Sequence, residues 1–113
     1  MITNSIQGIH FMMPTPFNKK SNIDLESIDN LVKLSIESNC QGIVIMGVMG
    51  EAHRLTEEER NSVISHVSKK VTNKIPITVG VSGESIEIVS KRIKESNDFG
   101  ANYLLCSPPK MAK

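Results

Sequence analysis

Apolar and polar positions along this chain alternate between two periods. Four short runs are almost continuously apolar: Gly8–Met13, Gly42–Met46, Pro76–Val79 and Asn102–Cys106. None shows strict in–out alternation, which is the pattern of strands buried on both faces in a parallel sheet. Between them lie three segments whose apolar residues recur at helical spacing. The first spans Leu25–Ser38, with Leu25, Ile28, Leu31, Val32 and Ile36 on one stripe and Asp24 placed as an N-terminal cap. The second spans Glu57–Val71, where Thr56 and Glu59 form a T-x-x-E capping box and Val63, Ile64, Val67 and Val71 form the stripe. The third spans Glu84–Phe99, with Ile86, Val89 and Ile93 inward, Ser82 as its expected cap and Gly100 as its left-handed terminator.

The resulting order is β-α-β-α-β-α-β, with strands starting at 8, 42, 76 and 102, or separations of 34, 34 and 26. Parallel neighbours need such crossover helices. Two architectures accept the order: an open doubly wound sheet and a (β/α)₈ barrel. A full barrel takes about 250 residues, so 113 residues supply close to four of its units. A complete open-sheet domain would rarely end on a strand that no helix covers, which favours the barrel. The expectation is α/β: residues 1–113 as the first four β/α units of a TIM barrel, roughly half of an enzyme.

Composition narrows the function classes. The net charge is +1 and aromatic residues are 4% of the chain, so neither a basic surface nor a stacking platform invites nucleic acid. The apolar runs are far too short to span a bilayer, and the N-terminus lacks the pattern of a signal peptide. Cys40 and Cys106, 66 positions apart, fit neither a redox pair nor a metal-ligand spacing, and read as reduced, buried or half-buried thiols of a cytoplasmic protein. His66 reads as a helix-surface residue. No metal or cofactor site is expected, and no P-loop, G-x-S-x-G or G-x-G-x-x-G occurs.

Chemistry is expected at the carboxyl ends of the strands, where both architectures bind ligands. After the first strand, Pro14-Thr15-Pro16-Phe17 is either a pocket wall offering the Thr15 hydroxyl or a turn merely stiffened by proline. After the second, Gly47-Val48-Met49-Gly50-Glu51 allows tight curvature, and its successive N–H groups could hold a carboxylate. An empty tight turn explains the two glycines equally well. Arg54 could face an anion, and His53 could titrate near neutrality. After the third strand, Gly80 leaves room for a large neighbour. After the fourth come Ser107, Pro108, Pro109 and Lys110, the last read as a solvated lysine.

Taken in order, these residues resemble the dihydrodipicolinate synthase / N-acetylneuraminate lyase family of Schiff-base aldolases. The resemblance rests on Pro14-Thr15-Pro16-Phe17 with Ile23-Asp24, Gly42-Ile43, Gly47-x-x-Gly50-Glu51, Leu55-Thr56-x-x-Glu59-Arg60, Ile75–Val81 and Gly100-Ala101-Asn102. It covers most of the chain and corresponds to the N-terminal half of the family barrel. It implies an oligomeric barrel, dimer or tetramer, acting on pyruvate or another 2-oxo acid with an aldehyde. It implies a lysine on the sixth strand that forms an imine and a tyrosine on the fifth that moves protons. Both would fall beyond Lys113, so no catalytic residue is assigned here. It further implies that Gly47, Val48, Met49, Gly50 and Glu51 bind the substrate carboxylate beside Thr15. An imine withdraws electrons and makes the adjacent carbanion accessible, while a carboxylate needs oriented donors.

Two departures bear on specificity. Hydroxyl residues stand in the family where Val48 and Met49 stand here, so backbone donors remain and a side-chain donor does not. Pro108-Pro109-Lys110 replaces a stretch that carries the synthases' relay tyrosine. Both count against dihydrodipicolinate synthase activity itself. The reading is a lyase or aldolase half that is inactive alone. The alternative is a non-catalytic half-barrel that pairs with itself or a second polypeptide through its unpaired sheet edges.

Overall fold

The structure, a computed structural model, describes residues 6–108. Pro109 and Lys110 of the fourth loop lie outside them. Four strands, β1 (His10–Met12), β2 (Gly42–Ile45), β3 (Ile77–Gly80) and β4 (Tyr103–Leu105), alternate with three helices, α1 (Leu25–Glu37), α2 (Glu57–Val71) and α3 (Ile86–Asp98). The strands form one parallel sheet in the order β1-β2-β3-β4. This order decides between the two architectures. A doubly wound sheet reverses its strand order at a switch point, whereas here each strand pairs with its sequence neighbour, as in a barrel.

Register divides the sheet into two faces. Ile43 pairs with Ile77, and Ile45 with Val79. These four join Ile28 and Val32 of α1 and Val63, Ile64, Val67 and Val71 of α2 in one core. Each such fully buried aliphatic side chain contributes roughly 1.5–3 kcal/mol. Alternation sends Met12, Val44, Thr78 and Tyr103, which share the next register row, to the opposite face. The inner strands β2 and β3 are buried throughout, while the edge strands β1 and β4 are partly exposed.

The helix signals read from the sequence hold for α1 and α2. Asp24 accepts the Ser27 backbone N–H at 3.1 Å and its hydroxyl at 2.7 Å. Thr56 and Glu59 make the reciprocal capping box at 3.0 and 2.9 Å. The α2 stripe is buried as expected, whereas Leu25 of α1 is exposed. Gly100, at φ 105°, ends α3 while the Ala101 N–H donates to the Ser96 carbonyl at 2.9 Å, the bond pattern of a left-handed cap.

The start of α3 differs. Its cap is Ser85, which accepts the Ile88 N–H at 3.2 Å, not Ser82. Ser82 lies three residues too early and instead accepts the Ser107 N–H at 2.8 Å, tying the third loop to the fourth. Ile86 is 85% exposed rather than inward, because α3 turns Val89 and Ile93 toward the core. Cys40 is half-buried and Cys106 exposed, so the expected burial fails for Cys106. No described helix is long and apolar enough to cross a membrane.

Candidate functional site

At the carboxyl end of the sheet, the loops after β1 and β2 close on one another. The Thr15 hydroxyl, buried, donates to the Gly50 carbonyl at 2.6 Å. Gly50 is itself buried, and a Cβ there would meet Met46 N at 3.3 Å and Met13 O and Thr15 Oγ1 at 3.4 Å. A Cβ at 50 would press on these groups by a few tenths of an ångström, so the glycine there answers to tight packing rather than to curvature. The left-handed backbone falls on the flanking residues, Met46 at φ 61° and Glu51 at φ 54°. The sequence pattern alone points to Gly47 and Gly50 for that curvature. Close approach to the first loop takes precedence at Gly50, and the bends move outward.

Between these bends the Glu51 N–H donates to the Val48 carbonyl at 3.0 Å and closes the turn. The N–H groups of Val48, Met49 and Gly50 meet no acceptor among the described residues. The side chains of Val48 and Met49 are 88% and 58% exposed. The turn thus offers backbone donors beside an apolar rim, a geometry able to hold a carboxylate.

Other sequence candidates fall outside this arrangement. Arg54 pairs with Glu51 in an exposed contact at 3.2 Å, so its charge is engaged next to the turn. His53 is exposed. His66 is half-buried, with Nε2 2.6 Å from Asp29 on α1. That contact, with Lys70 at 3.4 Å, holds the Asp29 carboxyl below its usual range. Among the described residues, no group of three or more His, Cys, Asp or Glu could hold a metal.

The sequence reading missed a charged network beneath the site. Arg60, only 2% exposed, donates through Nη2 to the Gly80 carbonyl at 2.8 Å and sits 3.4 Å from Glu57. Arg92 reaches the same carboxylate from α3 at 2.7 and 2.9 Å and donates also to the Ser82 carbonyl. The Arg92 contacts hold Glu57 below the usual carboxylate range, with Arg60 adding to the effect. Burial pulls the Arg60 guanidinium below its usual value and Arg92's charge acts the same way, while Glu57 and Glu95 oppose them. One signal was available: Arg60 falls three residues before Val63 and four before Ile64, on the buried stripe. A charge on such a stripe needs partners.

A family model for the dihydrodipicolinate synthetase family matches residues 5–112. The chain is 33% identical over 103 residues to the 4-hydroxy-tetrahydrodipicolinate synthase of Thermotoga petrophila, covering 91% of this chain and 35% of that protein. The dihydrodipicolinate synthase of Acinetobacter baumannii, solved in complex with pyruvate, is 32% identical with a TM-score of 0.90, over 93% of this chain and 36% of that one. A putative dihydrodipicolinate synthetase from Pseudomonas aeruginosa gives a TM-score of 0.92 at 26% identity, over 96% of this chain and 38% of that one. The chain spans about 35% of the length of the curated relatives it matches. The fold is accordingly the partial (β/α)₈ barrel that strand order indicated.

Proposed function

This chain belongs to the dihydrodipicolinate synthetase family, and from that premise we propose that it carries the carboxylate-binding part of a lyase or aldolase acting on pyruvate or another 2-oxo acid. One observation supports this above all: the Gly47–Glu51 turn, gripped by Thr15 at 2.6 Å, with the Val48, Met49 and Gly50 amides facing no acceptor among the described residues. The pyruvate bound to the Acinetobacter baumannii relative favours the same ligand class. In the proposed reaction the backbone amides orient the carboxylate, and a lysine elsewhere in the complete barrel forms the imine. The second substrate is an aldehyde. The complete protein is a cytoplasmic homo-oligomer that needs no metal or cofactor.

The test is an amide-resolved NMR titration of the chain with pyruvate. The Val48, Met49 and Gly50 signals should move together and saturate; shifts confined to other residues would contradict the reading. Borohydride trapping asks the complementary question. The imine lysine and the proton-shuttling tyrosine implied by the resemblance belong to the sixth and fifth strands, beyond the four strands here. Pyruvate and borohydride should therefore leave the mass of the 113-residue chain unchanged. A stable adduct would show that the chain carries its own imine lysine.

A second reading rests on the sheet edges. β1 and β4 each pair on one side only among the described residues, and Met12, Leu104 and Leu105 are exposed there. Such edges recruit partners. A copy rotated about the barrel axis would set β4 against the partner's β1 in parallel and complete eight strands. A monomer by size-exclusion with light scattering would count against this reading.

A further inference from the structure

The carboxylate turn is held at one end by Thr15. At its other end stands Met46, buried and left-handed at φ 61°, a conformation unfavourable for a non-glycine residue and so imposed by its surroundings. What lies against Met46 is Gly80. A Cβ on Gly80 would sit 2.1 Å from the Met46 carbonyl oxygen and 3.3 Å from the Gly47 N, so the two backbones are in direct contact. The carbonyl of Gly80 is the group that the buried Arg60 guanidinium holds at 2.8 Å.

We infer that Arg60 is a positioning residue for the turn: by fixing the Gly80 carbonyl it holds the end of β3 against Met46 and so sets the left-handed bend from which Gly47–Glu51 departs. The chain of contact runs from guanidinium to the β3 carbonyl, from the β3 backbone to Met46, and from Met46 into the amide donors. Glu57, which accepts from Arg92 at 2.7 Å, sets its other oxygen 3.4 Å from the guanidinium and balances its charge. Lysine cannot replace this geometry. A single ammonium lacks the planar fork that reaches the carbonyl from Nη2 while Nε stays beside the carboxylate. The purpose of this device rests on the carboxylate reading above, although the device itself does not.

Hydrogen exchange of the full chain separates the two. The Glu51 N–H closes the turn on the Val48 carbonyl, so its exchange rate reports turn opening. In Arg60→Lys and Arg60→Met, the Glu51 amide should exchange at least tenfold faster. Amides of the inner strand β2 and of α1 should stay within twofold. Pyruvate affinity at Val48–Gly50 should fall at least fivefold in both variants. Unchanged Glu51 exchange would overturn the inference, and so would equal acceleration across the core, which marks a general loss of stability. If Arg60→Met fails to fold, Arg60→Lys decides by the same comparison. If the exchange signature appears while pyruvate shifts no turn amide in the unsubstituted chain, Arg60 keeps its positioning role and the carboxylate reading falls.

Discussion

Thr15 shows how much one residue can carry. Its buried hydroxyl donates the one hydrogen bond that the Gly50 carbonyl accepts among the described residues. Thr15→Val keeps the shape and leaves that carbonyl unpaired, so it should lower stability to urea by about 1–3 kcal/mol. Thr15→Ser should retain most of the stability; equal losses in the two variants would discount the bond. Thr72 predicts the opposite sign. It ends α2 in the left-handed region at φ 46°, exposed and β-branched. Thr72→Gly should therefore raise stability by about 1 kcal/mol, read as a higher thermal midpoint. At this scale the sequence was partly legible. Thr15 and the Gly47–Glu51 turn were found from their places after apolar strands, but their pairing was not. Nothing local to position 15 or position 50 says that the two loops meet 35 residues apart.

The elements are governed by their ends. The signals for α1 and α2 lie within one turn of each helix start, and so they were readable. For α3 two serines compete, Ser82 and Ser85, and the loop path chooses between them. Ser85→Ala should cost about 1 kcal/mol with fraying confined to the first turn of α3. Ser82→Ala should leave that turn intact and free the Ser107 amide instead. Amide exchange resolves both effects, and fraying of α3 in Ser82→Ala would reverse the assignment. Between elements, α1 and α2 are joined by Asp29, held below its usual range by the contacts from His66 and Lys70. Its folded value is depressed, so the contribution is present above about pH 4, the unfolded value, and is lost as pH falls through the lowered folded value. Glu57 follows the same sign because Arg92 depresses it. Acid unfolding of Asp29→Asn should show a shallower loss of stability below pH 4 than the unsubstituted chain; identical acid limbs would remove Asp29 from the account.

At the scale of the molecule, the sheet ends on both sides in a strand that pairs once among the described residues, with a buried helix-facing layer and a second face buried along β2 and β3 but exposed at Met12 of β1. The exposed residues at β1 and β4 follow from that openness. Mutating an edge therefore tests assembly rather than folding. Leu104→Lys on β4 should leave the cooperative unfolding of the core nearly unchanged, while abolishing any dimer seen by light scattering if paired half-barrels form. A dimer that persists in this variant would place the contact elsewhere.

The sequence alone determined what depends on near neighbours. Apolar runs specified four strands, of which β2 and β3 are buried as expected and β1 and β4 only in part, helical stripes and caps specified α1 and α2, and the spacing of units specified a parallel α/β fold. An ordered set of loop motifs pointed to the family. These signals are local, because hydrogen bonding and burial over a few residues suffice to produce them. Tertiary structure alone decided what depends on distant neighbours. It set the strand order that separates a barrel from a doubly wound sheet, and the contact of Thr15 with Gly50. It also set the seating of Arg60 against Gly80. The last is the sharpest case: Glu57 stands three residues from Arg60 on the same helix, but the Gly80 carbonyl that the buried guanidinium needs comes from β3, and only the folded chain brings it there.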